Sequence, residues 1–572
     1  MQMKQKGNIL YGILFGLLMV FLFLGLVQQQ FHVINFKELS GVTVKTEKPR
    51  LSFDSYVSGQ YQSQTEKYIS ENFGFREPVI RIYNQYIWSV FNKTYCHFIK
   101  PGKDGYLYYS EAVNDYYGIE HLKHYKTNAD AVKHVEKQVR MMNKLRYVLK
   151  DYGVEFLAFM APDKAYVYPE YLPRRDARDP EAVNMMECFD EKLTEVGFPH
   201  VEMTKWFKTM KDTVPFMLFP KTDSHWRFSA IYGYDSLFSY MNSLNDFGIP
   251  DIRINGLTPI DTNYRESDEL TLNLVSPIRD TNQRYKADIS IECGQNCHKP
   301  RVLWVGDSFI WDLETNLPWR QIMEDVDIWF YNSIAFSGFE KEKGNVKKTN
   351  RLRKILNNDY VVWYSTAHQW CLATYGFAED ALLQLCVSDS LFETQVSRVM
   401  DSLREVYDFA KIHHELADCE GYNRMLRYCA TVILQKDPEL IPGLDGEEMP
   451  VIRNTEAIRL AQQENAISND RNWFIRLRLA ASDQKRTLEE ILTEEAKNAI
   501  EGLPLICDEY RIDTAAIIQM EIEKQMRQWR NNAETVKFLE DKARKKGKPF
   551  EVVLEEDARW IVNQRLENGE LF

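Results

Sequence analysis

The sequence predicts an α/β protein: a parallel sheet flanked by helices, behind one N-terminal transmembrane helix and ahead of an all-α C-terminal extension. Three observations predict it. Residues 9–27, ILYGILFGLLMVFLFLGLV, run without a charge. Between about 130 and 370, short and nearly all-apolar runs alternate with amphipathic stretches, the pattern of buried parallel strands and their covering helices. Beyond about 380 the apolar runs stop and long charged amphipathic stretches take over.

The apolar N-terminal run is roughly long enough to cross a ~30 Å hydrocarbon core at ~1.5 Å per residue. Lys4 and Lys6 precede it and no acid does, so the N-terminus is expected to stay cytoplasmic. A cleaved signal peptide is the rival reading. The run is long for that, and the following QQQFHV offers no A-x-A site. The expectation is an uncleaved signal anchor over 1–32 in the inner membrane, with the bulk of the chain periplasmic or otherwise extracytoplasmic.

The elements follow in order. Residues 33–50 are polar and read as a linker. Residues 51–98 carry apolar positions at three-to-four spacing and read as helical. GKDGYLYY (102–109) reads as a turn and a strand. Residues 131–153 form a helix closed by Gly153. VEFLAFMAP (154–162) is a buried strand. A helix over 180–197 is followed by HVEMT, and another covers 229–244. PRVLWVGDSF (300–309) is a second buried strand running into a polar loop, and 326–333 and 359–365 are two more. Past 380, LEEILTEEAKNAI (488–500) and FEVVLEEDARWIV (550–562) match at a separation of about 62 residues, which suggests repeated helical units. The expected domains are 1–32, 33–377 and 378–572.

Composition narrows the function. Of 572 residues, 44% are hydrophobic and 13% aromatic, which suits a packed core. The net charge of -12 argues against a nucleic-acid partner. There is no Walker A loop and no GxGxxG loop. The nine cysteines are scattered and form no disulfide framework. Cys293 and Cys297 are close enough to pair. Their ECGQNCH has three residues between the cysteines, one more than a haem-attachment motif.

RVLWVGDSFIWD (301–312) places Ser308 just past a buried strand. Open α/β sheets bind ligands at the carboxyl ends of their strands. Gly306 allows a sharp turn there, and a serine N–H at such a turn can face an oxyanion. A serine nucleophile needs a base, and the base needs an orienting carboxylate. KTDSHW (221–226) supplies both. In extended backbone Asp223 and His225 face the same side. The carboxylate then holds one ring nitrogen while the other faces Ser308. Trp226 would shield the pair from water or stack on a sugar ring. A metal site would need further ligands, and no HExxH or paired-His spacing lies nearby. His413 and His414, before Glu415, read as a solvated helix face. No metal and no organic cofactor are expected.

GDSF together with D-x-H-W resembles the SGNH hydrolase-like family of alginate O-acetyltransferases, in which the Asp-x-His pair precedes the serine. ENFGFREPVIRIYN (71–84), GKDGYLYY (102–109) and FMAPDKAYVYPEYLP (159–173) resemble further blocks of that family in the expected order. The similarity spans about 50–370. It implies an SGNH hydrolase-like sheet and an extracytoplasmic enzyme that acetylates a polysaccharide. It also implies a multi-spanning membrane O-acyltransferase as acetyl supplier. Ser308, His225 and Asp223 then form the triad, Gly306 and Asn332 are candidate oxyanion donors, and Trp226 and Lys164 are candidate substrate contacts. A carbohydrate acetylesterase with the same triad and a non-catalytic glycan-binding or scaffold protein remain as alternatives.

Overall fold

β7 (Arg301–Gly306) and β11 (Tyr360–Thr366) lie side by side near the middle of a seven-stranded mixed sheet in the computed structural model. The structure describes residues 2–41, 46–173, 183–245, 248–260, 265–294, 297–339, 341–406, 420–511 and 514–567. His413 and His414 lie outside these. In chain order the other strands are β1 (Ile99–Pro101), β2 (Leu107–Tyr109), β3 (Glu155–Ala161), β4 (His200–Glu202), β5 (Asp251–Ile260), β6 (Arg284–Glu292), β8 (Asp325–Phe330), β9 (Ile334–Ser337) and β10 (Lys341–Asn345). The sheet order is β10-β9-β8-β7-β11-β3-β4.

The pairs β3–β4, β7–β8 and β7–β11 are parallel, as the apolar runs predict. Two features differ from the sequence reading. β9 and β10 add an antiparallel edge, and β5 pairs with β6 in a separate hairpin. They escape a search for apolar runs because β9 (IAFS) is only four residues long, β10 is polar, and β5 and β6 are largely solvated. KEKGN in β10 is an edge strand blunted by charge.

The central strands are apolar throughout because both of their faces are covered. Val302, Trp304, Val362 and Tyr364 pack on one face with Phe159, Tyr234, Leu237 and Phe238, the last three on helix Ala230–Asn245. On the other face Trp363 meets Phe189 and Trp370 at ring separations of 5.7 and 4.1 Å. Gly306 ends β7 in register with Tyr364 of β11. A Cβ there would sit 2.1 Å from the Tyr364 carbonyl oxygen, so close strand approach demands glycine at this position.

The chain forms two compact units. One comprises Met1–Arg146, Phe156–Val346 and Tyr360–Phe377, and the other Tyr147–Glu155, Lys347–Asp359 and Ala378–Phe572. The first contains the sheet and the N-terminal helix Gln2–Phe31. Within that helix Tyr11–Phe31 is the one span among the described residues long and apolar enough to cross a membrane. It also contains the disulfide between Cys293 and Cys297.

The second unit is helical. Leu477, Ala481, Ile491, Leu492 and Ala496 are buried in one cluster. About 62 residues on, Leu539, Ala543, Val553, Leu554 and Ala558 are buried in the same order. Helices Leu488–Glu501 and Phe550–Glu567 carry the matching stretches.

Candidate active site

Three neighbouring strands deliver polar side chains to one edge of the sheet. Ser308 follows β7, Thr366 and His368 belong to the end of β11 and the turn beyond, and Asp163 follows β3. These are carboxyl ends, where open α/β sheets bind ligands. Asp307 caps the short helix Ser308–Ile310 by accepting Phe309 N–H at 3.0 Å. Its other oxygen accepts the Thr366 N–H and hydroxyl, each at 2.7 Å. The serine turn is thereby tied to the end of β11.

His225 bridges two partners. Its Nδ1 lies 3.0 Å from Asp223 Oδ1, and its Nε2 lies 3.2 Å from Ser308 Oγ. The backbone that achieves this is not the extended segment expected. Residues 223–226 form a bend, in which Asp223 Oδ1 also accepts the His225 N–H at 3.0 Å. This turn, closed by an aspartate side chain two residues back, fixes the imidazole against its own carboxylate. The second oxygen of Asp223 accepts from Ser267 at 3.0 Å and from the Arg227 guanidinium. Arg227 also meets Glu266 at 3.4 Å and Asp312 at 3.7 Å.

The charges follow from this packing. Burial alone would raise the Asp223 carboxyl. The His225 hydrogen bond, with the charges of His225 and Arg227, outweighs burial and holds it well below the usual range. Burial alone would lower His225. Hydrogen bonding and charge attraction from Asp223 outweigh it and push the imidazole up to about 9. Asp268 accepts the Ser224 N–H at 2.8 Å, and burial, helped by the Asp223 charge, pushes it up to about 6. Asp223, His225 and Asp268 bring ligand atoms within 4.8 Å of one another. Arg227 already balances the second oxygen of Asp223, which opposes a cation there.

Four expected roles are not supported by where the side chains lie. Trp226 is fully buried and packs against Phe159, Phe207 and Tyr234. It is a core residue and offers no face to a sugar ring. Lys164 is 1% exposed. Its ammonium donates to the carbonyls of Leu107, Pro220, Lys221 and Asp223 at 2.5–3.0 Å, so it pins the loop leading into Asp223 and does not contact substrate. Gly306 lies within the sheet, and its carbonyl accepts Tyr331 N–H at 2.8 Å. Asn332 follows Tyr331 in a left-handed reversal, with φ of 49° at each. Its amide donates to the Tyr375 carbonyl at 3.1 Å. Neither Gly306 nor Asn332 is presented as an oxyanion donor.

The sequence reading misses Arg227, Asp163 and His368. Ser224, His225, Ser308, Tyr331, Asp163 and His368 line one small cavity of about 20 Å³, room for a group about the size of one water.

Residues 99–234 match the family model of the SGNH hydrolase-like domain of acetyltransferase AlgX. This stretch is similar to an SGNH hydrolase-like acetyltransferase domain. It includes Asp223 and His225 and ends before Ser308. Similar solved structures include the O-acetyltransferase domain of Pseudomonas putida AlgJ. It is 14% identical, with 48% of this chain and 93% of that one covered and a TM-score of 0.33. Pseudomonas aeruginosa AlgX is 13% identical over 51% and 67%, with a TM-score of 0.33. Bacillus cereus PatB1 with a sulfonyl adduct is 13% identical over 49% and 98%, with a TM-score of 0.31. No curated protein matches this chain in sequence.

Proposed function

We propose that the protein O-acetylates an extracellular or cell-surface polysaccharide, with Ser308 as nucleophile. The observation that carries this reading is the position of His225 between Asp223 and Ser308, at 3.0 and 3.2 Å. Ser308 Oγ attacks the acetyl carbonyl as His225 Nε2 takes its proton. The tetrahedral intermediate collapses, and His225 returns the proton to the departing oxygen. A sugar hydroxyl, deprotonated by His225, then attacks the acetyl-serine. The bond from Ser308 Oγ to the acyl carbon breaks, His225 returns the proton to Oγ, and the sugar leaves with the acetyl group. Asp223 holds the imidazole in one orientation throughout and balances its charge.

The same reading sets the protein in the inner membrane by its N-terminal helix, with the domain outside. Lys4 and Lys6 ahead of the helix support that orientation. A multi-spanning membrane O-acyltransferase is the proposed acetyl supplier. The test is acceptor competition. The full-length protein in detergent is given an activated acetyl ester with and without oligosaccharides. Acetylated sugar at the expense of free acetate supports transfer. Acetate release that no sugar suppresses identifies an esterase.

A further inference from the structure

An acyl-transfer site needs donors for the oxyanion, and Gly306 and Asn332 do not supply them. The cavity that His225 and Ser308 line also holds a group that nothing above uses. His368 follows β11, the strand adjacent to the one that bears Ser308. Asp163, past β3 on the other side, accepts from His368 Nδ1 at 2.5 Å and from the His368 backbone N–H at 3.3 Å. The clamp between Asp307 and Thr366 fixes this segment against the serine turn.

The two ring nitrogens of His368 are therefore unlike. Nδ1 is held by Asp163. Nε2, on the far side of the ring, makes no hydrogen bond among the described residues. The nearest acid, Glu111, stands 4.0 Å away with its side chain 43% exposed. Asp163, Asp307, Glu111 and Asp115 are acidic groups whose charges act on the ring, and the Tyr109 ring lies 5.4 Å from it. Burial would lower this imidazole, but Asp163 outweighs burial and pushes it up to about 9. A cationic donor, fixed by its own carboxylate and lining the same cavity as Ser308, is arranged to meet developing negative charge.

We propose that His368 is a second active-site histidine, whose Nε2–H donates to the oxyanion formed when Ser308 attacks the acyl carbon. This rests on the reading of Ser308 as nucleophile. In that step the bond from Ser308 Oγ to carbon forms, and the carbonyl electron pair moves onto oxygen. The serine proton goes to His225. His368 donates a hydrogen bond and transfers no proton. On collapse the pair returns, the ester C–O bond breaks, and the leaving oxygen takes the proton from His225. Asp163 is a positioning residue that sets the direction of Nε2.

Two conservative variants separate a donor from a brace. His368→Gln places an amide N–H near Nε2 and gives up the brace. His368→Asn keeps a partner for Asp163 near Nδ1 and gives up the donor. The full-length protein in detergent is assayed with p-nitrophenyl acetate, and the affinity of methylboronic acid, which forms a tetrahedral adduct on serine, is measured alongside. Losing an oxyanion donor costs about 10²–10³-fold in kcat. His368→Asn is expected to show that loss with KM little changed, and to weaken boronate binding by a similar factor. His368→Gln is expected to retain at least about tenfold more activity than His368→Asn. If His368→Asn equals or exceeds His368→Gln, the histidine is only a brace and the inference is wrong. If the wild type itself forms no acetyl-serine, the reading of Ser308 falls and takes this inference with it.

Discussion

The ammonium of Lys164 donates to the backbone carbonyl of Asp223 at 3.0 Å. The lysine that the sequence offers to a substrate thus acts on the loop that presents the orienting carboxylate. Lys164→Met takes the ammonium from four carbonyls, of which that of Lys221 still accepts the Leu107 N–H. Unsatisfied buried groups cost about 1–3 kcal/mol each before relaxation. The variant is expected to lose at least about 3 kcal/mol in urea denaturation. Its residual kcat should fall while KM for small esters stays near wild type.

Asp223→Asn keeps the size of the side chain and removes its charge. The amide that replaces the carboxylate favours the wrong histidine tautomer, and loss of an orienting aspartate lowers kcat by about 10⁴-fold in a serine triad. The same order of loss is expected here, with a lowered Tm, because His225 and Arg227 lose their buried charge partner.

The pH profile follows from His225. Its imidazole is raised to about 9 and must be neutral to accept the serine proton. kcat/KM should therefore climb from neutral pH, reach half its plateau near pH 9 and level off above it. The stability effect has the opposite sense. A histidine raised above its unfolded value of about 6.5 stabilises fully below that pH. The contribution is lost as pH rises through about 9. Urea denaturation across pH 6–10 reads this limb. Arg227→Gln removes a cation near the imidazole, so its activity limb should move to higher pH.

Trp226→Phe and Trp226→Ala test the reassigned tryptophan. Truncating a buried tryptophan to alanine costs about 3–5 kcal/mol, and Trp226→Ala should unfold at correspondingly lower urea. Trp226→Phe should leave KM for an oligosaccharide acceptor unchanged. A rise in that KM at unchanged stability would return Trp226 to the binding site.

Gly306→Ala tests the strand register. Its Cβ meets a backbone oxygen of β11, which cannot rotate away. Overpacking of this kind costs about 1–3 kcal/mol, and the upper end is expected, read as a lower Tm.

Much of this was legible in the sequence because the central strands are buried on both faces. VLWV and VVWYS declare themselves without context, and a glycine-aspartate-serine after one of them marks a strand end. Asp223 and His225 are legible as a pair because they are two residues apart. What was not legible depends on residues far apart in sequence. Asp163 and His368 are separated by 205 positions and meet only because β3 and β11 are neighbours in the sheet. Trp226 and Lys164 show the converse. Next to a candidate site in sequence, both turn inward, and only burial and hydrogen-bond partners reveal it. β9 and β10 are only four and five residues long, and β10 is polar, so no periodicity distinguishes them from loops.

The most direct measurement is intact mass after incubation of the full-length protein with an activated acetyl ester. The wild type should gain one acetyl group, mapped by fragmentation to Ser308, and Ser308→Ala should gain none. Equal acetylation of both proteins, or acetylation of neither, would contradict a covalent mechanism at Ser308.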